Sequence, residues 1–491
     1  MKKEFKQILS EKGRAELPRI LLAAAECAPL SKTGGLADVV GTLPKALKKL
    51  SLDARVITPY HRCIKEKYAS SVEHLFDFYV ELGWGTQYCG IERLMLDGVC
   101  IYLVDNEYYF GDRIYKGGYE EGEQYAFFTR AVLEALPRLD FSPDIVHCND
   151  WHTAMLPMLA KTQYRGSVQE RIKWLLTIHN IAFQGKFGFD YVQDLFGIDE
   201  KYYTPEFMEL NGCASFLKAG CVFADRINTV SPTYAEEIKT AYFGEGLEGI
   251  LSARSHELSG IINGIDTVSF NPFTDELIDA KYHKGRLASK KVCKQKLQEL
   301  AGLKVRDVPL FAMVTRLTEQ KGFDLLIRMT DELMQYNDIQ LLVLGSGDSV
   351  YEDFLRSKEA QYKGRLCAYI GYNEALSHKV YAGADFLLMP SRFEPCGLSQ
   401  MIAMRYGTLP IVRETGGLRD SVTPYNKYTG EGNGFSFADF NAHEMKDAIL
   451  NAVDCYYKPD TIQALRRSAM EADFSFDRSA EEYTRLYICM L

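Results

Sequence analysis

Glu394 belongs to the strongest group of residues whose types and spacing suit catalysis. It stands in the stretch Ser391 to Gln400, directly after an apolar run, and Pro395 and Gly397 turn the chain behind it. A carboxylate at the carboxyl end of a buried strand is well placed to hold sugar hydroxyls or to stabilise a developing positive charge. The alternative interpretation is a glutamate that caps the following helix.

Two cations form a second group. Arg316 and Lys321 lie in the stretch TRLTEQKG, across a predicted strand-to-helix turn. Together they suit the clamping of a diphosphate, whose charge they would neutralise while a bond to it breaks. Taken alone, two such cations are more often a solvated surface pair.

Asp150 and His179 form the third group, in the stretches HCNDWH and TIHNIAFQG. Each follows an apolar run that reads as a strand of one parallel sheet, so we expect the two side chains to lie together at its carboxyl edge, facing a cleft. His147 and His152 flank Asp150 and raise a metal site as an alternative. The sequence has no HExxH motif and no spacing typical of zinc ligands, and we therefore predict no metal.

A short glycine phrase occurs twice, as KTGGLADVV from Lys32 and as ETGGLRDSV from Glu414. Each copy follows a predicted strand and precedes a predicted helix. A glycine-rich turn there exposes backbone N–H groups at the positive end of the helix dipole, which favours a phosphate or a sugar oxygen. Paired glycines also occur simply to permit a tight turn, but the repeated context favours ligand binding.

One further glycine motif is a false match. GEGLEG, from Gly244 to Gly249, has the spacing of a dinucleotide-binding turn, but a predicted helix and loop precede it instead of a strand. We predict a loop there. The chain contains no Walker P-loop and no G-x-S-x-G elbow, which weakens the nucleotide-hydrolase and serine-hydrolase alternatives.

The elements that must position these groups alternate between strand and helix. Apolar runs that end in polar residues start at Arg19, Asp53, Asp144, Lys173 and Arg226, and the same pattern restarts beyond a Gly-, Asn- and Pro-rich break at 260–272. This pattern predicts an α/β protein with two Rossmann-like, doubly wound domains that face a deep cleft. The predicted organisation is an N-terminal extension over 1–18, a first domain over 19–262, a second over 263–470, and a C-terminal helix over 471–491 that packs back on the first domain.

Composition narrows the function classes. Lys and Arg total 57 against 66 Asp and Glu, and the net charge of -9 argues against a nucleic-acid partner. No apolar run approaches the length of a membrane span, and the first eighteen residues lack the apolar core of a signal peptide. The twelve cysteines form no Cys-x-x-Cys pair, which favours reduced thiols and a cytoplasmic location. The oligomeric state stays open.

The ordered set KTGGLAD, HNIAFQG, INGID, TRLTEQKG, SRFEPCGLSQ and a second TGGL resembles the bacterial glycogen synthases and plant starch synthases, from about Arg19 to the C-terminus. The resemblance implies a GT-B type, retaining glucosyltransferase. Its donor would be ADP-glucose, its product ADP, and its acceptor the non-reducing 4-hydroxyl of an α-1,4-glucan. It also implies that no metal and no cofactor is needed.

Site residues follow from the same resemblance. It implies that Arg316 and Lys321 stabilise the leaving diphosphate, that Glu394 is the essential carboxylate, and that Asp150 and His179 lie at the glucose. It further implies that Lys32 contacts the diphosphate, that Asn263 lies at the hinge near the donor and that Tyr372 lies against the adenine. The full set of implied donor contacts is Lys32, Gly34, Gly35, Asp38, Asn263, Tyr372, Cys396, Gly397, Ser399, Thr415, Gly416 and Gly417.

Several alternatives stay open at this point. Many retaining members of the wider superfamily carry a second glutamate eight residues after the first, where this chain has Ile402; the synthase branch also lacks it, and the ribose contact is unassigned. A UDP-glucose-dependent or other retaining glucosyltransferase of the same fold is one alternative function, and an inactive glucan-binding scaffold is another. Asp150 and Glu394 are both candidate nucleophiles for double displacement, against front-face attack without a covalent intermediate.

Overall fold

The computed structural model describes residues 2–83 and 85–491, so Met1 of the predicted N-terminal extension lies outside the described residues. The chain divides into two compact units. Unit 1 contains the chain up to Gly264 together with Phe476–Leu491, and unit 2 contains Ile265–Ser475. The chain crosses from one unit to the other after Gly264 and again after Ser475. These two crossings lie slightly later in the sequence than the predicted boundaries at 262/263 and 470/471, and the first lies within the break predicted at 260–272.

Unit 1 is built around a mixed sheet. Among the described residues, nine strands pair in the order β12-β11-β7-β6-β1-β2-β5-β4-β3, parallel from β12 to β5, with β4 and β3 added antiparallel at one edge. A small antiparallel sheet has the order β8-β10-β9. The strands of unit 1 are β1 Ile20–Ala23, β2 Ala54–Pro59, β3 Val72–Leu82, β4 Gly85–Leu96, β5 Val99–Asp105, β6 Ile145–Asn149, β7 Lys173–Ile178, β8 Lys186–Phe187, β9 Glu209–Leu210, β10 Cys213–Ser215, β11 Arg226–Thr229 and β12 Leu258–Gly260.

Helices connect the parallel strands of unit 1. Its central strands are almost wholly buried, which is why they read as continuous apolar runs in the sequence. The helices up to the first crossing are α1 Lys3–Glu11, α2 Gly35–Lys49, α3 Arg62–Tyr68, α4 Gly118–Ala135, α5 Met155–Thr162, α6 Val168–Arg171, α7 Phe189–Phe196, α8 Phe216–Phe223, α9 Pro232–Glu237 and α10 Glu248–Ala253.

Unit 2 has a six-stranded parallel sheet over its described residues, in the order β15-β14-β13-β16-β17-β18. The strands are β13 Leu310–Val314, β14 Gln340–Gly345, β15 Leu366–Ile370, β16 Phe386–Met389, β17 Leu409–Arg413 and β18 Phe435–Phe437. Its helices are α11 Ala288–Leu300, α12 Phe323–Tyr336, α13 Ser349–Gln361, α14 Glu374–Gly383, α15 Ser399–Arg405, α16 Gly416–Ser421, α17 Ala442–Tyr456 and α18 Pro459–Glu471.

Both sheets share one connection pattern. Counted along the parallel strands of each unit, the order is third, second, first, fourth, fifth, sixth, as in dinucleotide-binding folds, and unit 1 adds a seventh parallel strand, β12, beside the sixth. The order reverses between the first and fourth strands, which are β1 and β6 in unit 1 and β13 and β16 in unit 2. Ligands of such sheets bind outside the carboxyl ends of the strands at this switch point.

The last helix, α19 (Phe476–Met490), returns the chain to unit 1 and packs on α2. Its buried tyrosines reach the central sheet. The Tyr487 hydroxyl hydrogen-bonds His147 Nδ1 at 2.9 Å, and the Tyr483 hydroxyl accepts a hydrogen bond from Asn228 Nδ2 at 3.1 Å.

The N-terminal extension forms helix α1, which packs within unit 1. Its apolar face, formed by Phe5 and Leu9, packs against Ile488 of α19. Arg485 Nε donates to Glu4 Oε1 at 2.7 Å beside this contact. No helix among residues 2–83 and 85–491 is both long enough and apolar enough to cross a membrane.

Candidate active site

The switch point of unit 2 brings two of the predicted groups together. Lys321 ends a short 3-10 turn that follows β13, and Glu394 stands in the loop that follows β16. Lys321 Nζ lies 2.6 Å from Glu394 Oε2, and the two side chains are only 15% and 8% exposed. Ser391 Oγ donates a second hydrogen bond to the same carboxylate oxygen at 2.9 Å. The sequence separates these residues widely; the parallel sheet makes them neighbours.

The second glycine phrase packs directly on the Glu394 loop. Gly417 N donates to the carbonyl oxygens of Glu394 and Pro395, both at 3.1 Å. A Cβ at Gly416, where φ is +44°, would lie 2.0 Å from the Glu394 carbonyl oxygen, and a Cβ at Gly417 would lie 2.2 Å from that of Cys396. Glycine is therefore required here by close backbone approach, which holds the two loops against each other.

Other predicted donor contacts of unit 2 lie along the same carboxyl edge. Ser399 opens α15, and its Oγ accepts a hydrogen bond from the Tyr381 hydroxyl at 3.1 Å. Tyr381 has a pKa raised to about 12, mainly by burial, with a contribution from Tyr372 nearby. Tyr372 follows β15 and is 77% exposed. Thr415 is the N-cap residue of α16, and Cys396 and Gly397 continue the Glu394 loop.

Arg316 is placed differently from its predicted partner. It follows β13 as expected, but its side chain is exposed and does not join the pair formed by Lys321 and Glu394. The two cations are thus close in the chain without sharing one carboxylate. An exposed guanidinium at this edge remains available to an anionic ligand.

The switch point of unit 1 is organised by Asp150. This residue directly follows β6, has φ +56° and is 7% exposed. Its Oδ1 accepts hydrogen bonds from the backbone N–H groups of His179 at 2.7 Å and Asn180 at 3.4 Å. The structure therefore confirms that Asp150 and His179 lie together at the edge of one sheet. A positive φ at a residue other than glycine stores backbone strain, which is common at functional sites.

The pKa of Asp150 is shifted towards neutrality. Burial raises it to about 7, opposed by the two backbone N–H donors and assisted by the nearby charge of Glu26. A carboxyl group that titrates near pH 7 in a strand-end position is suited to accept or donate a proton.

His179 is held as a neutral imidazole. Burial lowers its pKa to about 3, and its Nε2 lies 2.9 Å from Asn149 Oδ1. Because the Asn149 amide nitrogen already donates to Ala23 O and His147 O, its oxygen must accept, so Nε2 carries the ring proton. His179 can therefore offer a hydrogen-bonding Nδ1 acceptor to a ligand, or orient one, without adding charge.

The first glycine phrase differs physically from the second. Gly34 is the N-cap of the fifteen-residue helix α2, and Gly35 is its first residue. Gly34 has an extended backbone with φ −153°, and a Cβ there would meet only Glu26 Oε1 at 3.8 Å. Lys32 Nζ pairs with Asp38 Oδ1 at 2.7 Å across this turn. Packing does not demand glycine at position 34, which favours a role in ligand approach.

Glu26 and Tyr115 belong to this edge although the sequence analysis did not select them. The carboxylate of Glu26, 2% exposed, accepts hydrogen bonds from the Thr33 backbone N–H and from Thr33 Oγ1 at 2.9 Å. Burial raises its pKa. Tyr115 hydrogen-bonds Glu26 and Thr33, and its pKa is raised by burial and by the charges of Glu26 and Asp150. The available signal was a charged residue directly after the apolar run of β1.

The structure also shows the surroundings of the other residues and motifs considered in the sequence analysis. Asn263 is buried near the end of the first segment of unit 1, and its Oδ1 has no hydrogen-bond partner among the described residues. His147 is bonded to Tyr487 and to Thr177, and no group of three His, Cys, Asp or Glu side chains within residues 2–83 and 85–491 is arranged to hold a metal. GEGLEG follows α9 without a strand, as predicted, but only its first four residues form a loop, since α10 begins at Glu248.

Two family models match the chain. The starch synthase catalytic domain matches residues 19–253, and the glycosyl transferases group 1 model matches residues 297–468. Glycogen synthase from Geobacillus thermodenitrificans (strain NG80-2) is 49% identical over 471 residues, covering 96% of this chain and 97% of that protein. Glycogen synthase from Bacillus subtilis (strain 168) is 47% identical over 471 residues, with coverage of 96% and 97%.

Comparison with solved structures points to the same family. The catalytic domain of starch synthase IV from Arabidopsis thaliana, bound to ADP and acarbose, superposes with a TM-score of 0.89 at 31% identity, over 97% of this chain and 99% of that one. Sucrose-phosphate synthase from Thermosynechococcus elongatus shares the fold, with a TM-score of 0.60 at 16% identity over 96% and 98%.

The two Rossmann-like units, their switch-point residues and these matches define a glycosyltransferase of the GT-B fold. Within that class, the similarity to glycogen synthases over nearly the whole chain identifies the family. The protein belongs to the glycogen and starch synthase family.

Proposed function

We propose that this protein is a glycogen synthase that transfers glucose from ADP-glucose to the non-reducing 4-hydroxyl of an α-1,4-glucan, with retention of configuration. The observation that carries the proposal is the buried pair of Lys321 and Glu394 at the switch point of unit 2. Membership of the synthase family supports the reaction, and the ADP bound by the Arabidopsis relative supports the choice of nucleotide.

Departure of the diphosphate is the first demand of this reaction. The bond between the anomeric carbon and the diphosphate is already activated, so the protein mainly has to neutralise the leaving group. Lys321, held by Glu394, and the exposed Arg316 are the proposed cations. The N–H groups of Gly417 and Leu418 at the start of α16 already donate to Glu394 O and Thr415 O, so this turn holds the Glu394 loop in place.

Glu394 is proposed to position glucose and to stabilise the positive charge that develops at the anomeric carbon. Its Oε2 already accepts from Lys321 and Ser391. These two hydrogen bonds fix the carboxylate beside Lys321, which suits a positioning role. Front-face attack, with no covalent intermediate on Glu394, is the proposed mechanism.

The proposed front-face step balances without a further reactant. The bond between the anomeric carbon and the diphosphate oxygen breaks, and a bond from that carbon to the acceptor 4-oxygen forms. The acceptor proton passes to the leaving diphosphate, which departs as ADP. The glucan gains one glucose unit.

Residues of unit 1 are proposed to hold the transferred sugar and the phosphates. Asp150 and neutral His179 supply an acceptor or donor to glucose hydroxyls, and the N-terminus of α2 with Lys32 supplies a second anion-binding turn. Asn263, whose buried Oδ1 has no partner among the described residues, is a further proposed donor contact.

The remaining expectations are also proposals. We expect a cytoplasmic enzyme that requires no metal or cofactor and binds neither nucleic acid nor membranes, in keeping with the net charge of -9. A chelator should therefore leave the transfer rate unchanged. A rate that falls with EDTA and recovers with added Mg²⁺ would contradict the metal-free reaction.

The direct test measures nucleoside diphosphate release from ADP-glucose and, separately, from UDP-glucose, each with and without glycogen. Glycogen-dependent release from ADP-glucose alone is the expected result. Equal or faster release from UDP-glucose would change the proposed donor. Release from neither donor would favour a glucan-binding scaffold.

Matched variants connect this activity to the site. Lys321→Ala and Glu394→Gln should each lower turnover by about a hundred- to a thousand-fold, the usual cost of losing a preorganised charge-stabilising group. Lys358→Ala is the control, because Lys358 Nζ lies 2.6 Å from Asp331 Oδ1 on a helix of the same unit and its side chain is 14% exposed. If Lys321→Ala kept more than about a tenth of the wild-type rate, its proposed role would be wrong.

A further inference from the structure

A cavity in unit 2 lies outside the switch-point site. It has a volume of about 350 Å³, which is within the usual range for small-molecule sites. Its walls come from the segment 265–284 near the start of the unit, from Met401 and Arg405 of α15, and from the segment 470–474 near the end of the unit. Met401, Met470 and Tyr282 supply apolar surface, and Arg405 supplies a cation.

Arg405 is half-buried and differs from the other described arginines that have a buried, unbonded Nε. Its Nε is buried and has no hydrogen-bond partner among the described residues. Arg130, Arg392, Arg413 and Arg466 share that feature, but each uses a terminal nitrogen in a hydrogen bond or ion pair, with Phe196 O, Glu319, Arg392 O and Asp385, respectively. No such bond of Arg405 occurs within the described residues. A half-buried guanidinium whose Nε is buried without a partner, beside a cavity, is suited to bind an anionic ligand.

The other polar groups around the cavity are already engaged or point to the same chemistry. Glu471 pairs with Lys284 Nζ at 3.1 Å, and Asp473 Oδ1 accepts from Ser475 N at 2.9 Å. His283 Nδ1 accepts from Gly285 N at 3.1 Å, so in the neutral ring Nε2 carries the proton and can donate. Glu471 is thus paired with a cation, Asp473 is held by a backbone N–H, and His283 Nε2 is a donor.

We infer that this cavity binds a small organic anion, with a phosphate or carboxylate group held by Arg405 and an organic body against the apolar wall. The arrangement of a cation, a neutral donor and apolar side chains is typical of such sites. The inference does not depend on the proposed transfer reaction, since it rests on residues that take no part in it.

Helix α15 connects the cavity to the switch-point edge. Ser399 opens this helix at the Glu394 loop and Arg405 closes it, so the two ends are separated by about 9 Å at 1.5 Å per residue. A ligand on Arg405 therefore contacts the same rigid element that carries a proposed donor contact. This gives the anion a direct physical route to influence donor binding.

The test is calorimetric titration of the full chain with inorganic phosphate and, in a second arm, with acetate. Each titration is performed alone and with saturating ADP, so that sites shared with ADP are occupied. The expected result is phosphate binding that persists with ADP, weakens about tenfold or more in Arg405→Met, and is unaffected by Lys321→Ala. Stronger binding of acetate than of phosphate would identify a carboxylate as the preferred group.

The midpoint of thermal unfolding provides an independent test of anion binding at Arg405. With saturating ADP present, phosphate should raise the midpoint of the wild type and of Arg356→Met, a control whose arginine lies on α13 and pairs with Glu352 and Asp353. It should not raise the midpoint of Arg405→Met. Arg405→Lys should recover part of the effect, because lysine restores the charge without the guanidinium fork. Neither phosphate nor acetate binding in the presence of ADP, or binding unchanged in Arg405→Met, would overturn the inference.

Discussion

Removal of the Lys321 side chain should affect both stability and turnover, and the two effects can be separated. In Lys321→Ala, Glu394, whose side chain is only 8% exposed in the wild type, would keep its hydrogen bond from Ser391 at 2.9 Å but lose its cation. Breaking a buried ion pair by removing one partner costs about 3–5 kcal/mol. Because one hydrogen bond to the carboxylate remains, we expect a loss of about 3 kcal/mol in the free energy of unfolding.

Lys358→Ala calibrates this expectation. Its pair with Asp331 has the same 2.6 Å separation, but the Asp331 side chain is 50% exposed, so water can solvate the remaining carboxylate. The expected cost is below about 1 kcal/mol. For a unit of this size, 3 kcal/mol corresponds to a midpoint shift of about 6–12 °C, well separated from the control.

Scanning calorimetry of the two single variants and of the double variant Lys321→Ala/Glu394→Gln is the assay. The double variant removes the unpaired charge, so it should recover most of the lost stability while ADP release stays at the level of the inactive single variants. Equal midpoints for Lys321→Ala and Lys358→Ala would refute the claim that burial of Glu394 makes the pair strong. Recovery of activity in the double variant would refute its catalytic role.

Three further predictions follow from other parts of the chain. The pKa of Asp150 is about 7 in the folded state and about 4 in the unfolded state, so between these pH values the folded state binds one more proton and stability falls as the pH rises. The unfolding midpoint of Asp150→Asn should therefore decline less from about pH 4 to about pH 7 than that of the wild type. In chemical denaturation, Gly416→Ala should lower the free energy of unfolding by about 3 kcal/mol, whereas Gly34→Ala should change it by less than about 0.5 kcal/mol but abolish ADP release. Equal losses of stability in the two variants would contradict the distinction between the two glycine turns. Phe5→Ala should accelerate amide exchange in α1 and at the facing end of α19 without changing α12, and unchanged exchange in α1 would show that the Phe5 contact does not hold it.

Much of the fold could be predicted because its central strands are buried on both faces. Runs such as Ile20–Ala23 and Ile145–Asn149 are continuous and apolar, and polar residues mark their carboxyl ends. The antiparallel strands β3 and β4 gave no such signal. β3 forms the edge of the sheet with β4 beside it, and polar residues such as Glu73, Asp77 and Glu92 interrupt the apolar residues of both strands.

The site was predictable to the extent that strand ends define it. Asp150 and His179 follow neighbouring strands, and the structure places them in hydrogen-bond contact. Pairing across loops is harder to anticipate. The ion pair of Lys321 with Glu394, and the exposure of Arg316, depend on how the loops after β13 and β16 turn, which no local pattern specifies.

The return of α19 to unit 1 has a consequence for biosynthesis. As the chain leaves the ribosome, every residue of unit 2 is available before α19 has emerged, so unit 2 can complete its core first. Unit 1 cannot do so, because Tyr483 and Tyr487 of the final helix belong to its apolar core and complete the hydrogen bonding of Asn228 Nδ2 and His147 Nδ1. The half of the protein that is translated first is therefore the half that finishes folding last.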